Sequence, residues 1–499
     1  MLSRRKVLGA GALALLAPRP RSARPWPRLA RHLRGRLVLP WHPGYRTARQ
    51  LDLAQYDRVN PAAVAYCADE SDVAVCLAFA QDERLPFAIR SGGHSFGGYS
   101  TSHGLLIDVS RLSAIAIGRE AAFGHGAVRI GTGAAAVDIL NALAPAGLVV
   151  PSGAFATVAA GGYIQGGGIG YLTRTLGLAC DRVTSARVVL ADGRTVTASR
   201  DQHPDLYWAI RGGGGGNFGV VSSFDVVPAR LTTLSVATLT WDFTRAADML
   251  DGFAHFLADA PRTVGAVAVV ALGDGEPPWS GVVLISPGDL RPQVDALLSA
   301  TGPASSQSID VMSHQDFMLY TYGCTDLTQT QCHRIGTRQG ALLPRTPFGL
   351  VRGRLFSRPP SREMWEKALA VFDLPRPASV ANKLEVLALG GADNDLARTD
   401  TAYVHRDTLF DLNYLSSVYQ TPVPPEARAA ATTWVNAGFA AIGPYSNGET
   451  YQNFVDPSLP DWARAYYAEN QTRLTTVKTT YDPHNTFTFP QSIRGPSAT

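Results

Sequence analysis

Cysteine is scarce in this chain of 499 residues, with Cys67, Cys76, Cys180, Cys324 and Cys332 its five. So few thiols exclude a disulfide scaffold, and none stands in the CxxC spacing of a structural zinc site, so no metal is expected. The odd count leaves at least one thiol unpaired. Cys67 and Cys76 fall at a strand end and in an apolar helical stretch and read as core, whereas Cys324 and Cys332 either close a small loop in an oxidising compartment or stay as buried thiols. Charge is also sparse, at 17% of residues, and lysine is nearly absent. The net charge of +4 comes largely from the amino end, where Arg4, Arg5, Lys6, Arg19, Arg21, Arg24, Arg28, Arg31, Arg34 and Arg36 gather. The body is then near neutral, with no basic face and no interleaved aromatics, which excludes nucleic acid as a partner. No apolar run reaches the roughly 20 residues of a bilayer-spanning helix, so no stable membrane association is expected. No internal repeat stands out.

What is present begins with Ser3-Arg4-Arg5-Lys6-Val7-Leu8 ahead of the small, weakly apolar run Gly9 to Ala17. Paired arginines before such a run read as a signal for the twin-arginine export machinery, making this a secreted or otherwise extracytoplasmic protein, with residues 1–40 as signal and basic linker.

From about residue 56 to 230, short β-branched runs alternate with helical stretches and many glycines. Residues 62–66, 87–90 and 105–108 read as strands around a helix at 72–81, and Arg187 to Leu190 turns through Ala191-Asp192-Gly193 into Thr195-Val196-Thr197 as a hairpin. Between 231 and 448 the pattern becomes strand-rich, with runs near 235–241, 267–271, 281–285, 383–387 and 412–415 and helices near 292–300 and 425–442. This predicts a large antiparallel sheet with helices on one face, as a second domain whose other face lines a substrate pocket. Residues 449–499, with an amphipathic helix over Trp462 to Tyr481, return to the first domain. The fold class is α+β.

Three glycine-rich segments carry the chemistry: Arg90-Ser91-Gly92-Gly93-His94-Ser95 through Gly98; Ser152-Gly153 on to Gly161-Gly162 and Gly166-Gly167-Gly168-Ile169-Gly170; and Arg211 through Gly219 to Val220. Glycine lets backbone N–H groups approach a pyrophosphate or a flat ring with no Cβ in the way. By contrast Gly131-Thr132-Gly133-Ala134-Ala135-Ala136 imitates a dinucleotide fingerprint but lacks the acidic ribose partner about 20 residues on, so it reads as a structural turn. His405-Arg406-Asp407 imitates a kinase catalytic loop without its companions and reads as structural. His94 in the first glycine loop and Cys180 in Gly177-Leu178-Ala179-Cys180-Asp181 are nucleophiles suited to tethering an electron-poor ring at two points.

These segments, with Tyr451-Gln452-Asn453-Phe454 and Phe487 to Ile493, make the chain resemble the flavin-linked oxidases of the berberine bridge enzyme-like group, within the vanillyl-alcohol-oxidase flavin fold. The resemblance covers about residues 59–493. It implies a two-part FAD-binding domain and a bicovalent FAD, held by His94 at the 8α-methyl carbon and by Cys180 at C6. Arg90, Ser91, Gly92, Gly93, Ser95, Ser152, Gly161, Gly162, Gly167, Gly168, Gly170, Val220, Tyr451 and Asn453 would join them around the cofactor. Tyr451 would be the base that takes a hydroxyl proton while hydride goes to flavin N5, with Tyr414 as a second polar residue. Ala160 would leave room for O2 at the flavin. Where relatives place an acid or tyrosine before a Gly-Gly pair, this chain reads Leu387-Ala388-Leu389-Gly390-Gly391, a departure from a carboxylate-assisted relay. The expected activity is oxidation of an alcohol on a sugar or glycosylated natural product, with O2 giving H2O2, and Trp241, Trp279 and Tyr320 are candidates for stacking on a sugar. A tailoring oxidase forming a ring or double bond on a polyketide or alkaloid is the alternative, and an exported flavin-fold binding protein without turnover the non-enzymatic one.

Overall fold

Strands Ala63–Tyr66 and Leu105–Asp108 are almost continuously apolar and buried, the pattern of strands covered on both faces. In the computed structural model, which describes residues 26–118, 126–273 and 278–496, they form the centre of a four-stranded sheet ordered Arg36–Val38, Ala63–Tyr66, Leu105–Asp108, Phe87–Arg90. The last three are parallel and the first is antiparallel. The crossover between two of the parallel strands is the helix Glu70–Asp82, whose N-cap Asp69 accepts from the Asp72 N–H. Within that helix the Asp72 carboxylate accepts the backbone N–H groups of Arg34, Gly35 and Ala68, each at 2.8 Å. Residues 26–38, expected as linker, are therefore integral to the first domain: helix Trp26–His32 packs Trp26 on Phe79, and the strand behind it joins the sheet. The twin-arginine motif lies outside the described residues.

A second, five-stranded antiparallel sheet runs Ile115–Ile117, Val128–Gly131, Val220–Val226, Val183–Val189, Thr195–Ser199. The hairpin expected at residues 191–193 joins its last two strands, with Gly193 at φ +84°. The third sheet has seven antiparallel strands: Ser306–Ser313, Thr233–Trp241, Trp279–Ser286, Gly265–Leu272, Val380–Ala388, Phe410–Val418 and Phe348–Phe356. Four helices, Ala246–Asp259, Arg291–Thr301, Arg362–Ala370 and Pro425–Ile442, cover one face. That face is a core of large side chains including Phe253, Trp365, Phe410 and Trp434, each stabilising by about 1.5–3 kcal/mol through burial. Strict alternation in Val380–Ala388 sends Leu384 and Val386 to the helices and leaves Lys383, Glu385 and Leu387 on the opposite face.

The tail bonds to the glycine-rich segment that ends at Val220. Buried Lys478 donates to the carbonyls of Asn217 and Phe487 and to the Asp482 carboxylate, while the Ile493 N–H donates to Asn217 Oδ1. The helix expected over residues 462–481 is two, Trp462–Tyr467 and Gln471–Tyr481, parted at Ala468 with φ +38°. Cys324 and Cys332 form a disulfide with Cα atoms 5.7 Å apart, and Cys67, Cys76 and Cys180 are buried and free.

Candidate active site

A cleft of about 780 Å³ runs between the glycine-rich segments and the open face of the seven-stranded sheet. His94 reaches it from the loop after strand Phe87–Arg90, where Gly93 adopts φ +76° and Gly92 lies so close to the neighbouring loop that a Cβ would sit 2.7 Å from the Ala159 nitrogen. The imidazole Nε2 lies 2.8 Å from Thr157 Oγ1, and Nδ1 lies 3.7 Å from an Asp52 carboxylate oxygen. Burial lowers its pKa, against the pull of Asp52, so near neutral pH the ring is uncharged and keeps a nucleophilic lone pair. The Phe155 ring, 53% exposed, lies 6.2 Å from it across the same cleft.

Gly161, Gly162, Gly170, Gly214, Gly215, Gly216 and Val220 line this space together with Ser91, Gly92, Gly93 and Ser95. A Cβ on Gly162 would meet no atom within 4 Å, whereas one on Gly161 would collide with Thr132 Oγ1 at 2.3 Å. Gly162 thus presents bare backbone to the cleft, a surface that an elongated phosphate-bearing dinucleotide fits and a side chain would fill. Gly214 and Gly216 take φ +82° and +76°. The imitation fingerprint is different: Cβ atoms on Gly131 and Gly133 would strike the Leu112 and Ser110 carbonyls, so those glycines serve a tight chain crossing.

At the far end of the cleft three N–H donors converge on the Tyr451 phenol oxygen: Gly168 N at 3.0 Å, Ile169 N at 3.2 Å and Asn453 Nδ2 at 2.8 Å. Burial pushes this phenol up to about 12, while the three donors pull it back by stabilising the phenolate. Asn453 is itself fixed by donating to the Tyr163 carbonyl at 3.0 Å.

Several expected site residues lie elsewhere. Cys180 is fully buried behind the cleft, its N–H donating to the Gly167 carbonyl, and it does not line the cavity. Burial and the adjacent Asp181 carboxylate push its thiol well up, so near neutral pH it is protonated, and it acts electrostatically on the cleft residues Tyr451 and Tyr163. Tyr414 is paired in register with Leu384 and points to the helices, where its hydroxyl donates to the Ala368 carbonyl at 2.9 Å and its ring meets Trp434 and Gly438. Arg90 is an internal partner of Asp108, and Ser152 bonds the Tyr322 hydroxyl at the edge of a smaller apolar cavity. Gly167 and Gly168 form the turn behind the cleft, contributing the Gly168 N–H to Tyr451. Ala160 faces that smaller cavity, and Val158 and Ala159 line the main cleft instead. Trp241 is in the helix-side core, and neither Trp279 nor Tyr320 lines the cleft. His405 and Arg406 are structural, bonded to Glu449 and Asp181.

Sequence reasoning missed Asp52, Thr157, Phe155 and the Lys383–Glu385 pair, joined at 2.6 Å on the sheet face. Alternation along Val380–Ala388 was the one available signal for that pair.

The chain matches the FAD binding domain model over residues 61–199 and the berberine and berberine-like model over residues 450–494. It is 30% identical over 480 residues to the FAD-linked oxidoreductase YgaK of Bacillus subtilis, covering 92% of this chain and 97% of that one. It is 26% identical over 455 residues to the glucooligosaccharide oxidase of Sarocladium strictum, covering 86% of each. Among solved structures, berberine bridge enzyme from Eschscholzia californica superposes with a TM-score of 0.82 at 20% identity, covering 94% and 99% of the two chains. A chitooligosaccharide oxidase superposes with a TM-score of 0.81 at 22% identity, covering 94% and 98%. The glycine-walled cleft, the two-ended domain that forms it and these relationships make the chain an FAD-linked oxidoreductase, a member of the berberine bridge enzyme-like family.

Proposed function

We propose that this enzyme oxidises a secondary or anomeric alcohol of a sugar or a glycosylated natural product, with O2 as electron acceptor and H2O2 as product. The observation that carries this reading is the Tyr451 oxygen, held by three N–H donors in the same cleft as His94. Bound FAD supplies the hydride acceptor. The protein orients it through the bare backbone at Gly162 and Gly214 to Gly216, and the neutral His94 imidazole is the group available for a covalent bond to it. Because Cys180 lies outside the cleft, attachment through His94 alone is proposed. Tyr451 takes the substrate's hydroxyl proton as the phenolate, and the convergent donors lower the cost of that phenolate, the form that has to exist before the transfer. The Lys383–Glu385 pair offers a donor and an acceptor to substrate hydroxyls, and the names of the two oligosaccharide oxidases support a sugar. Export by the twin-arginine route is proposed alongside, with the Cys324–Cys332 disulfide in keeping with an oxidising compartment.

The experiment is acid precipitation of the purified holoenzyme with mass spectrometry of the His94 and Cys180 peptides, followed by anaerobic titration with cellobiose and chitobiose. Flavin on the His94 peptide alone and bleaching by a sugar support the reading. Flavin on the Cys180 peptide overturns the single attachment, and bleaching by neither sugar favours metabolite tailoring.

A further inference from the structure

Behind Tyr451 lies a group of polar atoms without hydrogen-bond partners among the described residues: both carboxylate oxygens of Asp411, the amide nitrogen of Asn413 and the hydroxyl of Tyr403. Each of these residues is at most 1% exposed. Buried polar groups are nearly always satisfied, by protein or by ordered water, so several together mark a place with a purpose. Register locates it. Asp411 stands between Leu387 and Leu355 on the neighbouring strands, and both leucines pack in one core with Tyr403 and Tyr451. The Tyr403 ring meets Tyr451 edge-on at 6.3 Å, an approach that Gly167 permits, since a Cβ there would strike Tyr403 at 2.7 Å. Tyr403 interacts electrostatically with both Tyr451 and Asp411.

The Tyr451 oxygen receives three N–H donors, so when the phenol accepts a proton from substrate its own proton has to be handed on. We propose that Asp411 is the positioning residue that takes it: by way of the Tyr403 hydroxyl and ordered water, its carboxylate receives the proton Tyr451 releases as the substrate is oxidised. This rests on Tyr451 acting as the base. Bound FAD would supply the acceptor for the carbinol hydride and pass its two electrons to O2, giving H2O2. Within the chain, the substrate's O–H proton goes to Tyr451 and the phenolic proton moves to Asp411, so the phenol is restored and the protonated carboxyl holds the proton that O2 reduction would consume. Asp411 replaces by position the acid that Leu387 lacks, since the two residues are direct cross-strand partners.

The groups facing Asp411 are consistent with this task. Burial pushes its carboxyl up to about 7, with Asn413 pulling down without completing a hydrogen bond and Glu385 pushing up. Glu385 is itself paired with Lys383, and Asp393 and Arg406 also act on Tyr403.

The test uses the holoenzyme and the Asp411→Asn variant. Infrared difference spectra need no substrate: the wild type is expected to show a protonated-carboxyl band that titrates near neutrality, is absent from D411N and has its midpoint moved in Y403F. No such band, or a midpoint untouched in Y403F, overturns the proposal. With cellobiose as reductant, the anaerobic rate of flavin bleaching should rise through about pH 7 in the wild type and be at least about tenfold lower and flat over that range in D411N. D411N should keep full flavin content and a melting temperature no lower than wild type. A D411N enzyme that retains the same pH limb overturns the role of Asp411. If cellobiose bleaches neither protein, the sugar reading fails and the infrared titration alone decides.

Discussion

Substituting alanine at two adjacent glycines separates the requirement of the fold from that of the cofactor. Gly161 and Gly162 both lie in the helix Ala160–Gln165, where alanine in place of glycine gains about 0.5–1 kcal/mol. At Gly161 the new methyl would sit 2.3 Å from Thr132 Oγ1 and 2.8 Å from Ser91 Oγ. Overpacking of this kind costs about 1–3 kcal/mol, leaving a net loss of up to about 2.5 kcal/mol. At roughly 2.1 cal/mol/K per residue, the melting entropy of a chain this long is about 1 kcal/mol/K, so G161A should melt lower, by up to about 2.5 °C. At Gly162 the methyl meets no protein atom within 4 Å, so the cofactor-free protein should melt slightly higher than wild type. That same methyl projects into the cleft, and displacing the dinucleotide by a comparable 1–3 kcal/mol weakens FAD binding by about 5- to 150-fold. The assay is the ratio of flavin to protein absorbance after expression at limiting FAD, beside melting curves of the cofactor-free proteins. G162A with full flavin content would refute the assignment of Gly162 to the cofactor surface, and G161A with a raised melting temperature would refute the packing argument.

His94→Ala should release all flavin on acid precipitation, whereas Cys180→Ser should leave the covalent flavin content unchanged, both read on the denatured pellet. Tyr451→Phe should lower the anaerobic flavin-reduction rate by about 10²–10⁴-fold, measured by stopped flow. Tyr414→Phe, which forfeits only the bond to the Ala368 carbonyl, should cost about 1 kcal/mol of stability and leave that rate unchanged. Burial alone would raise the Glu449 carboxyl, but His405 and Arg398 outweigh it and hold it at about 2. Its folded value lies below its unfolded one, so the stability it contributes is present above about pH 4.5 and drains away as pH falls toward 2. Melting curves of wild type and Glu449→Gln should converge across that window.

The parts of the site legible in the sequence were those whose chemistry is local. The glycine segments announce their backbone demands residue by residue, and His94 sits inside one of them. Tyr414 misled because its role depends on which way a strand faces. For Tyr414 the answer lay in pairing: register with Leu384 sends it to the helices, and Gly438, a residue of another element, makes room for its ring. The Cys180 N–H donates to the Gly167 carbonyl, a relationship no spacing reveals. Asp52 and Thr157 are 42 and 63 residues from His94 in sequence and meet it only in the folded chain. The large sheet and its covered face were readable because period-two alternation is itself a statement about two environments.

The Lys478 clamp sets a condition on biosynthesis. The wall formed by Gly214 to Gly216 is pinned through Asn217, whose carbonyl accepts from Lys478 and whose side-chain oxygen accepts from the Ile493 N–H. Those two partners emerge from the ribosome more than 250 residues after the loop they secure. The core of the parallel sheet waits on the same segment, since Phe487 packs against Phe87 and sits among its buried residues. Sheet and cofactor wall are thus completed together, by the last part of the chain to be made.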